Sequence, residues 1–274
     1  MKTTAIVFPF DLFGSAGAGA GAKLLGDAFA EMLADNRQEK RATRALAYQP
    51  HVRLRELAFD QLAEYQEWRP RGRQSVQRAW QRGDFLFWIT GNHLGALPVY
   101  DELSREAETT LVVQLDAHLD IYNLGDCTTE LSHGNWLLHS AKPLPRIINL
   151  GHRELLLTPD YVTDFYHAHH AAADLAVNPE PALRQLRQAV RSAKRVFIDI
   201  DCDCFDPAYF PAVSHPLPFG ITPPLLLRIL DAAWSDRVCG VALSEFDPGR
   251  DRNDQSLMTL VWLVEYLLLK RYER

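Results

Sequence analysis

The sequence is short of cysteine, of excess basic charge and of long apolar runs, and each shortage removes a class of protein. Four cysteines stand in 274 residues, at Cys127, Cys202, Cys204 and Cys239, and none forms a CxxC pair. A chain of this length needs no disulfide staples, so they read as reduced thiols of a cytoplasmic protein. The formal net charge is −6, which leaves no global basic field for nucleic acid or an anionic membrane. An active site sharing that bias would favour a cationic substrate. No apolar run reaches the length of a membrane span, and the longest, Leu257 to Leu269, is interrupted by Glu265. The opening MKTTAIVFPF shows no secretory cleavage site and reads as a short strand.

Apolar residues make up 47% of the chain, enough to bury a large core. There is no repeat, low-complexity tract or obvious linker, so residues 1–274 are expected to form one domain. Strands are expected at Ala5–Phe8, Arg44–Tyr48, Phe85–Thr90, Thr110–Asp116, Arg146–Leu150, Arg195–Asp201 and Val238–Glu245. Most are apolar runs without polar alternation, as in strands covered on both faces. Helical patterns fill the gaps at Ala22–Ala34 and Pro181–Ala193, after Thr222-Pro223-Pro224, and at Gln255–Arg271. Strands alternating with helices predict an α/β fold, a three-layer α/β/α sandwich on a mostly parallel sheet of about eight strands. Ligands of such sheets bind beyond the carboxyl ends of the strands.

Four strands run into metal-type side chains at those ends. The third reaches His93, the fourth Asp116, His118 and Asp120, the next-to-last Asp201 and Asp203, and the last Glu245. If the chain stays extended, alternation puts Asp116, His118 and Asp120 on one face, and likewise Asp201 and Asp203, with Cys202 and Cys204 pointing elsewhere. Burying this many carboxylates without cations costs several kcal/mol each. Two divalent cations would neutralise four aspartates. A mixed Asp/His set suits Mn²⁺ better than Ca²⁺, and a metal pair makes water nucleophilic near neutral pH. A lone DxHxD reads equally well as a capped loop with a solvated histidine. Two such clusters and His93, each ending an apolar strand, leave that bland reading little room.

These motifs resemble the ureohydrolase family of arginases and agmatinases. They stand here as TGNHLG around His93, LDAHLDIY from Leu115, SHGN at His133, DIDCDCFDPAYFPAV from Asp199 and LSEFDPG around Glu245. The resemblance covers about residues 85 to 250. It implies two Mn²⁺ per chain, one held by His93 and the other by His118. Asp116 and Asp201 would bridge, Asp120 would complete the first shell and orient the attacking water, and Asp203 would complete the second. Glu245 would pair with a substrate guanidinium and His133 would transfer a proton. The implied reaction yields urea and an amine.

Several positions depart from the family pattern. Asn92 and Leu94 replace the usual Asp and Ser, Tyr122 an asparagine that recognises free arginine, and Ser214-His215-Pro216 a Gly-Thr-Pro. The guanidinium end is retained and the outer pocket, at Tyr122 and His215, is rebuilt. The chain resembles compact members that include peptide arginases. The implied substrate is therefore arginine, within a ribosomally made peptide or free, converted to ornithine. Agmatinase, which often carries a tyrosine at the Tyr122 position, or another guanidino or formimidoyl ureohydrolase, is the enzyme alternative. A zinc deacetylase of the same fold lacks the paired ligands found here. A non-catalytic binding protein predicts degraded ligands. Family members are often oligomers, and a homo-oligomer is compatible.

Four further features have readings of their own. Gly14, Gly17, Gly19 and Gly21 read as a flexible substrate-adjacent loop before a phosphate-binding turn. His167, His169 and His170 lie in a helix-like or loop stretch and read as a solvated face. Arg69, Arg71 and Arg73 with Trp68 and Trp80 read as a surface or partner patch, with an acidic leader peptide as one candidate. Asp206 and Asp247 precede prolines and read as turn residues, while Asp199, two residues before Asp201, has an open role behind the ligands or with an alkali ion.

Overall fold

The computed structural model describes residues 2–14 and 16–273. Eight strands form one wholly parallel sheet: β1 (Thr3–Phe8), β2 (Val52–Glu56), β3 (Phe85–Thr90), β4 (Thr110–Leu115), β5 (Arg146–His152), β6 (Ala168–Ala171), β7 (Arg195–Asp201) and β8 (Val238–Ser244). Their order is β2-β1-β3-β8-β7-β4-β5-β6. The helices are α1 (Ala18–Gln38), α2 (Leu62–Gln66), α3 (Trp68–Gln81), α4 (Leu97–Leu103), α5 (Pro159–Thr163), α6 (Ala172–Val177), α7 (Glu180–Ser192), α8 (Pro223–Ala233) and α9 (Gln255–Tyr272).

Strand alternation explains the three layers. In β3 every residue is buried; Phe85, Phe87 and Ile89 join the core beneath α1, α7, α8 and α9, whereas Leu86 and Trp88 join the core beneath α3 and α4. A strand buried on both faces cannot carry a polar stripe, hence the unbroken apolar run FLFWIT. The sheet was thus legible as a parallel α/β sandwich.

Two elements differ from the expectation. The segment Arg44–Tyr48 is not a strand but a 3₁₀ turn over Arg44–Ala47, and the strand beside β1 is Val52–Glu56. Within the segment Arg44–Tyr48 only Ala45 and Tyr48 are buried, three residues apart, which is a helical spacing, and Leu46 is exposed. The histidine cluster is also misread as a helix or loop. Ala168–Ala171 is the edge strand β6, with His169 and His170 paired to Asn149 and Leu150 of β5 and half-buried. Four residues without apolar alternation carry no strand signal of their own.

The register positions the site. Leu115 of β4 lies opposite Ile200 of β7, and Asp201 lies opposite Ser244 of β8. The next residues along, Asp116 and Glu245, therefore emerge beside Asp201. β3, β8, β7 and β4 are consecutive in the sheet, so all four ligand-bearing strand ends meet over its centre.

Candidate active site

His93 is almost wholly buried at the start of a short 3₁₀ turn following β3. Its Nδ1 faces three carboxylate oxygens, Asp116 Oδ2 at 3.0 Å, Asp201 Oδ2 at 3.1 Å and Asp120 Oδ2 at 3.2 Å. A second imidazole, His118, lies with Nδ1 2.8 Å from Asp203 Oδ2 and its side chain 26% exposed. Asp116 belongs to both groups: ligand atoms of His93, Asp116 and Asp120 converge within 4.8 Å, as do those of Asp116, His118 and Asp203. All six expected ligands are therefore brought together.

The route differs from simple strand alternation. β4 ends at Leu115, and Asp116, His118 and Asp120 lie on a loop rather than on one face of a strand. Asp116 Oδ1 caps the His118 N–H at 2.7 Å, and Asp201 Oδ1 caps the Asp203 N–H at 2.9 Å. These local turns free the chain from the pleat. Asp120 and Glu245 both adopt left-handed backbone, with φ of 50° and 62°. Non-glycine residues rarely sit there, and such strain concentrates at functional sites.

The charges are unstable as they stand. Burial raises the Asp116 carboxyl to about 7, with Asp120 beside it adding repulsion. Burial likewise holds Asp201 and Glu245 well above the carboxylate range, each facing further carboxylates. Asp203 goes the other way, to about 2, where the His118 ring overcomes the effect of burial. His93 Nδ1 and Asp116 Oδ2 are buried without a hydrogen-bond partner despite their proximity. Orphaned donors and acceptors aimed at a common point among crowded carboxylates fit a cation. The O/N donor set, without thiolate, fits Mn²⁺ or a similar metal.

Above the ligands is a cavity of about 220 Å³ lined by His93, His118, Asp120, Tyr122, His133, Gly134, Asp201, Asp203, His215 and Glu245. Every expected catalytic and substrate-binding residue is on this surface. The Glu245 carboxylate accepts the His93 backbone N–H at 2.8 Å, so its direction is fixed. The rings of His133 and His215 lie 5.4 Å apart at the mouth. A shallower hollow of about 430 Å³ adjoins it, sharing Tyr122, His133 and Gly134 and walled by Phe13, Gly14 and Cys127–Thr128.

The chain is matched over residues 2–270 by the arginase family model. It belongs to the arginase family. Among curated relatives it is 31% identical over 193 residues to mitochondrial arginase 1 of Arabidopsis thaliana, covering 66% of this chain and 54% of that one. It is 26% identical over 166 residues to the agmatinase of Proteus mirabilis, covering 60% and 52%. The match thus spans about half the length of these relatives. An arginase of Bacillus subtilis superposes with a TM-score of 0.80 at 19% identity, covering 98% of both chains. The structure of a hypothetical agmatinase from Burkholderia thailandensis also reaches 0.80 at 17% identity, covering 100% of this chain and 86% of the other. The fold is therefore shared with these structures over nearly the whole of this chain, at low sequence identity.

Several functional contacts of this arginase-family site carry no motif. The Trp136 indole N–H donates to Asp120 Oδ2. Asp199 Oδ2 lies 2.9 Å from His93 Nε2 and accepts from the Tyr100 hydroxyl at 2.7 Å. The Tyr122 hydroxyl donates to Glu154 at 2.6 Å. The glycines act through close approach: a Cβ on Gly14 would lie 2.9 Å from the His133 side chain, and one on Gly21 1.7 Å from the Phe246 carbonyl oxygen. Gly19 and Gly21 belong to α1, so the reading of all four as one flexible loop is corrected. The arginine patch is corrected too. Arg69 grips Asp101 with two hydrogen bonds, Arg73 bonds Glu102 and Arg71 pairs with Glu64, so its charge is spent internally. Trp68 is buried against Phe10. Asp206 and Asp247 cap their turns as expected, at Ala208 and Gly249.

Proposed function

We propose that this chain is a binuclear-manganese hydrolase that cleaves the guanidinium of an arginine held within a peptide, releasing urea and leaving ornithine. The observation that carries this reading is Glu245 and the six-ligand cluster facing one small cavity whose mouth opens into an apolar hollow. His93, Asp116, Asp120 and Asp201 would hold one Mn²⁺, and Asp116, His118, Asp201 and Asp203 the other. When bound, the metals supply Lewis acidity and a water activated near neutral pH.

The protein's own groups do the rest. Glu245 binds the planar guanidinium through paired charge-assisted hydrogen bonds. Its carboxyl, disfavoured as an anion by burial, gains a cation as the substrate enters. Asp120, steadied by Trp136, orients the attacking water toward the guanidinium carbon. His133 stands at the mouth, where the amine leaves, and delivers its proton. One water is consumed for each urea formed.

Lining charge favours peptidyl arginine. Neither hollow has a lysine or arginine among its described lining residues, so the α-carboxylate of free arginine would find no basic side chain there to pair with, and Glu154 is held beside Tyr122. A peptide has no carboxylate at that place. Exposed Leu12, Phe13, Leu124, Leu155, Leu156 and Phe219 all follow strands at this edge of the sheet and suit neighbouring side chains. Agmatine is the second reading, because its ammonium would be attracted by Glu154. Mn²⁺-loaded protein is to be incubated with an arginine-containing peptide, agmatine and arginine, and urea measured. The peptide is expected to give the highest kcat/KM and arginine the lowest. Urea from none of the three would sink the proposal.

A further inference from the structure

Asp199, two residues before Asp201, is fully buried on β7. Its Oδ2 faces two groups, the Tyr100 hydroxyl at 2.7 Å and His93 Nε2 at 2.9 Å, while its Oδ1 is buried without a partner. A hydroxyl has one proton to give, and here it goes to the carboxylate. The carboxylate can satisfy both neighbours only if the ring also donates, from Nε2–H. With Nε2 so committed, Nδ1 is the nitrogen left to give a metal its lone pair, and it is aimed at the oxygens of Asp116, Asp120 and Asp201. A serine could accept the same hydrogen bond, but it would bring no charge.

The aromatic packing holds this arrangement. Trp136 packs edge-to-face with both His93 and Tyr100, ring centroids 4.8 Å away in each case, and its N–H fixes Asp120. One indole thus braces the ring, the tyrosine behind it and a neighbouring ligand. His118, on the other side of Asp116, is part-exposed and faces the open cavity.

The charge count gives Asp199 a consequence. Four ligand aspartates balance two divalent cations, and Glu245 balances the guanidinium. Asp199 is left over, a buried anion that touches no lysine or arginine in its recorded bonds. An uncompensated buried carboxylate is costly, and the route by which its charge is compensated runs through the imidazole to whatever cation Nδ1 binds.

We propose that Asp199, supported by Tyr100, is a positioning residue that fixes the His93 tautomer and makes the two metal positions unequal, with the His93 position the tighter. This rests on the binuclear reading of the site, but its readout is metal binding rather than urea.

The test is Mn²⁺ titration of the metal-stripped protein by calorimetry, for the native chain, Asp199→Ser, Asp199→Asn and Tyr100→Phe. The native chain is expected to bind in two resolved steps. Asp199→Ser and Asp199→Asn should loosen the tighter step by roughly 10–100-fold, leaving the weaker within about threefold, as loss of an outer partner of a ligating histidine does. Tyr100→Phe should loosen the same step by less. An unchanged tight step, or equal loosening of both steps, overturns the proposal. A measurement on the native fold alone also decides it: ¹⁵N spectra of the Zn²⁺-loaded protein should show His93 protonated at Nε2, and a bare Nε2 overturns it. Urea formation by a chain that fails these tests would leave the hydrolase reading standing, and the reverse outcome would separate the two equally well.

Discussion

The floor and the rim of the cavity are built by different rules. The floor consists of His93, Asp116, Asp120, Asp201, Asp203 and Glu245, all buried, all at or just past the ends of four consecutive central strands. Each carboxylate there is held by a backbone N–H or a buried side chain. The rim consists of Phe13, Tyr122, Leu124, His133, Glu154 and His215, carried on loops and partly open to solvent. The floor's charges lean on one another, whereas the rim's residues bond chiefly to their own loops and to each other. Chemistry and selectivity are therefore separable in this fold, and substitutions in the two zones should fail in different ways.

The largest effect is expected on the floor. Asp201→Asn removes a carboxylate aimed at His93 Nδ1, and breaking such a buried charged cluster costs about 3–5 kcal/mol. Metal content should fall below two per chain by elemental analysis, and urea formation should drop at least a hundredfold. Glu245→Gln should lower kcat/KM by a comparable factor, about a hundredfold or more, while metal content stays at two. If Glu245→Gln instead lost metal, Glu245 and the six ligand residues would act as one unit within the floor.

Metal removal sharpens the same contrast through pH. The Asp116 carboxyl is raised from 3.8 to about 7 by burial and by Asp120. A group raised on folding contributes stability that is full below its unfolded value and lost as pH rises through its folded one. The metal-free protein should therefore lose stability between about pH 4 and about pH 7, where the proton that tempered the cluster departs. Mn²⁺ bound there would take over that role, so the gain in Tm on adding it should grow from acid to neutral pH. A gain that is constant with pH, read by differential scanning calorimetry, would mean the cluster is not the metal's seat.

How far the sequence disclosed this follows the same division. Strand runs such as Phe85–Thr90 announced a sheet buried on both faces, and the residues past their ends announced the floor, because burial and charge constrain residue types at fixed spacing. Alternation was the wrong reason for part of it: Asp116, His118 and Asp120 converge through a loop with left-handed backbone at Asp120, which no period records. Asp199, Tyr100 and Trp136 come from β7, α4 and the turn after His133, and only the place of Asp199, two residues before Asp201, hinted at one of them. Glu154 is far from any motif, and its partner Tyr122 became meaningful only once the two met. The short edge strand β6 and the misplaced second strand were illegible because edge strands, exposed on one side, carry weak patterns.

On the rim the effects should be smaller and should depend on substrate. Glu154→Gln keeps an acceptor for Tyr122 while removing the charge. It is expected to change KM by about tenfold at most, since a half-exposed charge is screened, and to lower it for arginine while raising it for agmatine. An equal shift for both would remove Glu154 from selectivity.

Phe13→Ala should be the mildest change and the most diagnostic. Phe13 is 51% exposed and stands over the hollow shared with Tyr122 and His133. Its backbone is left-handed, with φ of 63°, so the ring is held out over the hollow at some conformational expense. Covering about 40 Å² of it with a peptide side chain stabilises the complex by about 1 kcal/mol at 25 cal/mol per Å². Peptide KM should thus rise about fivefold, with kcat unchanged. Agmatine, which ends at its ammonium and has no neighbouring residues to lay against this ring, should show no change. If both substrates weaken alike, Phe13 acts on the packing of His133 through the adjacent Gly14, and the hollow is not where the peptide lies.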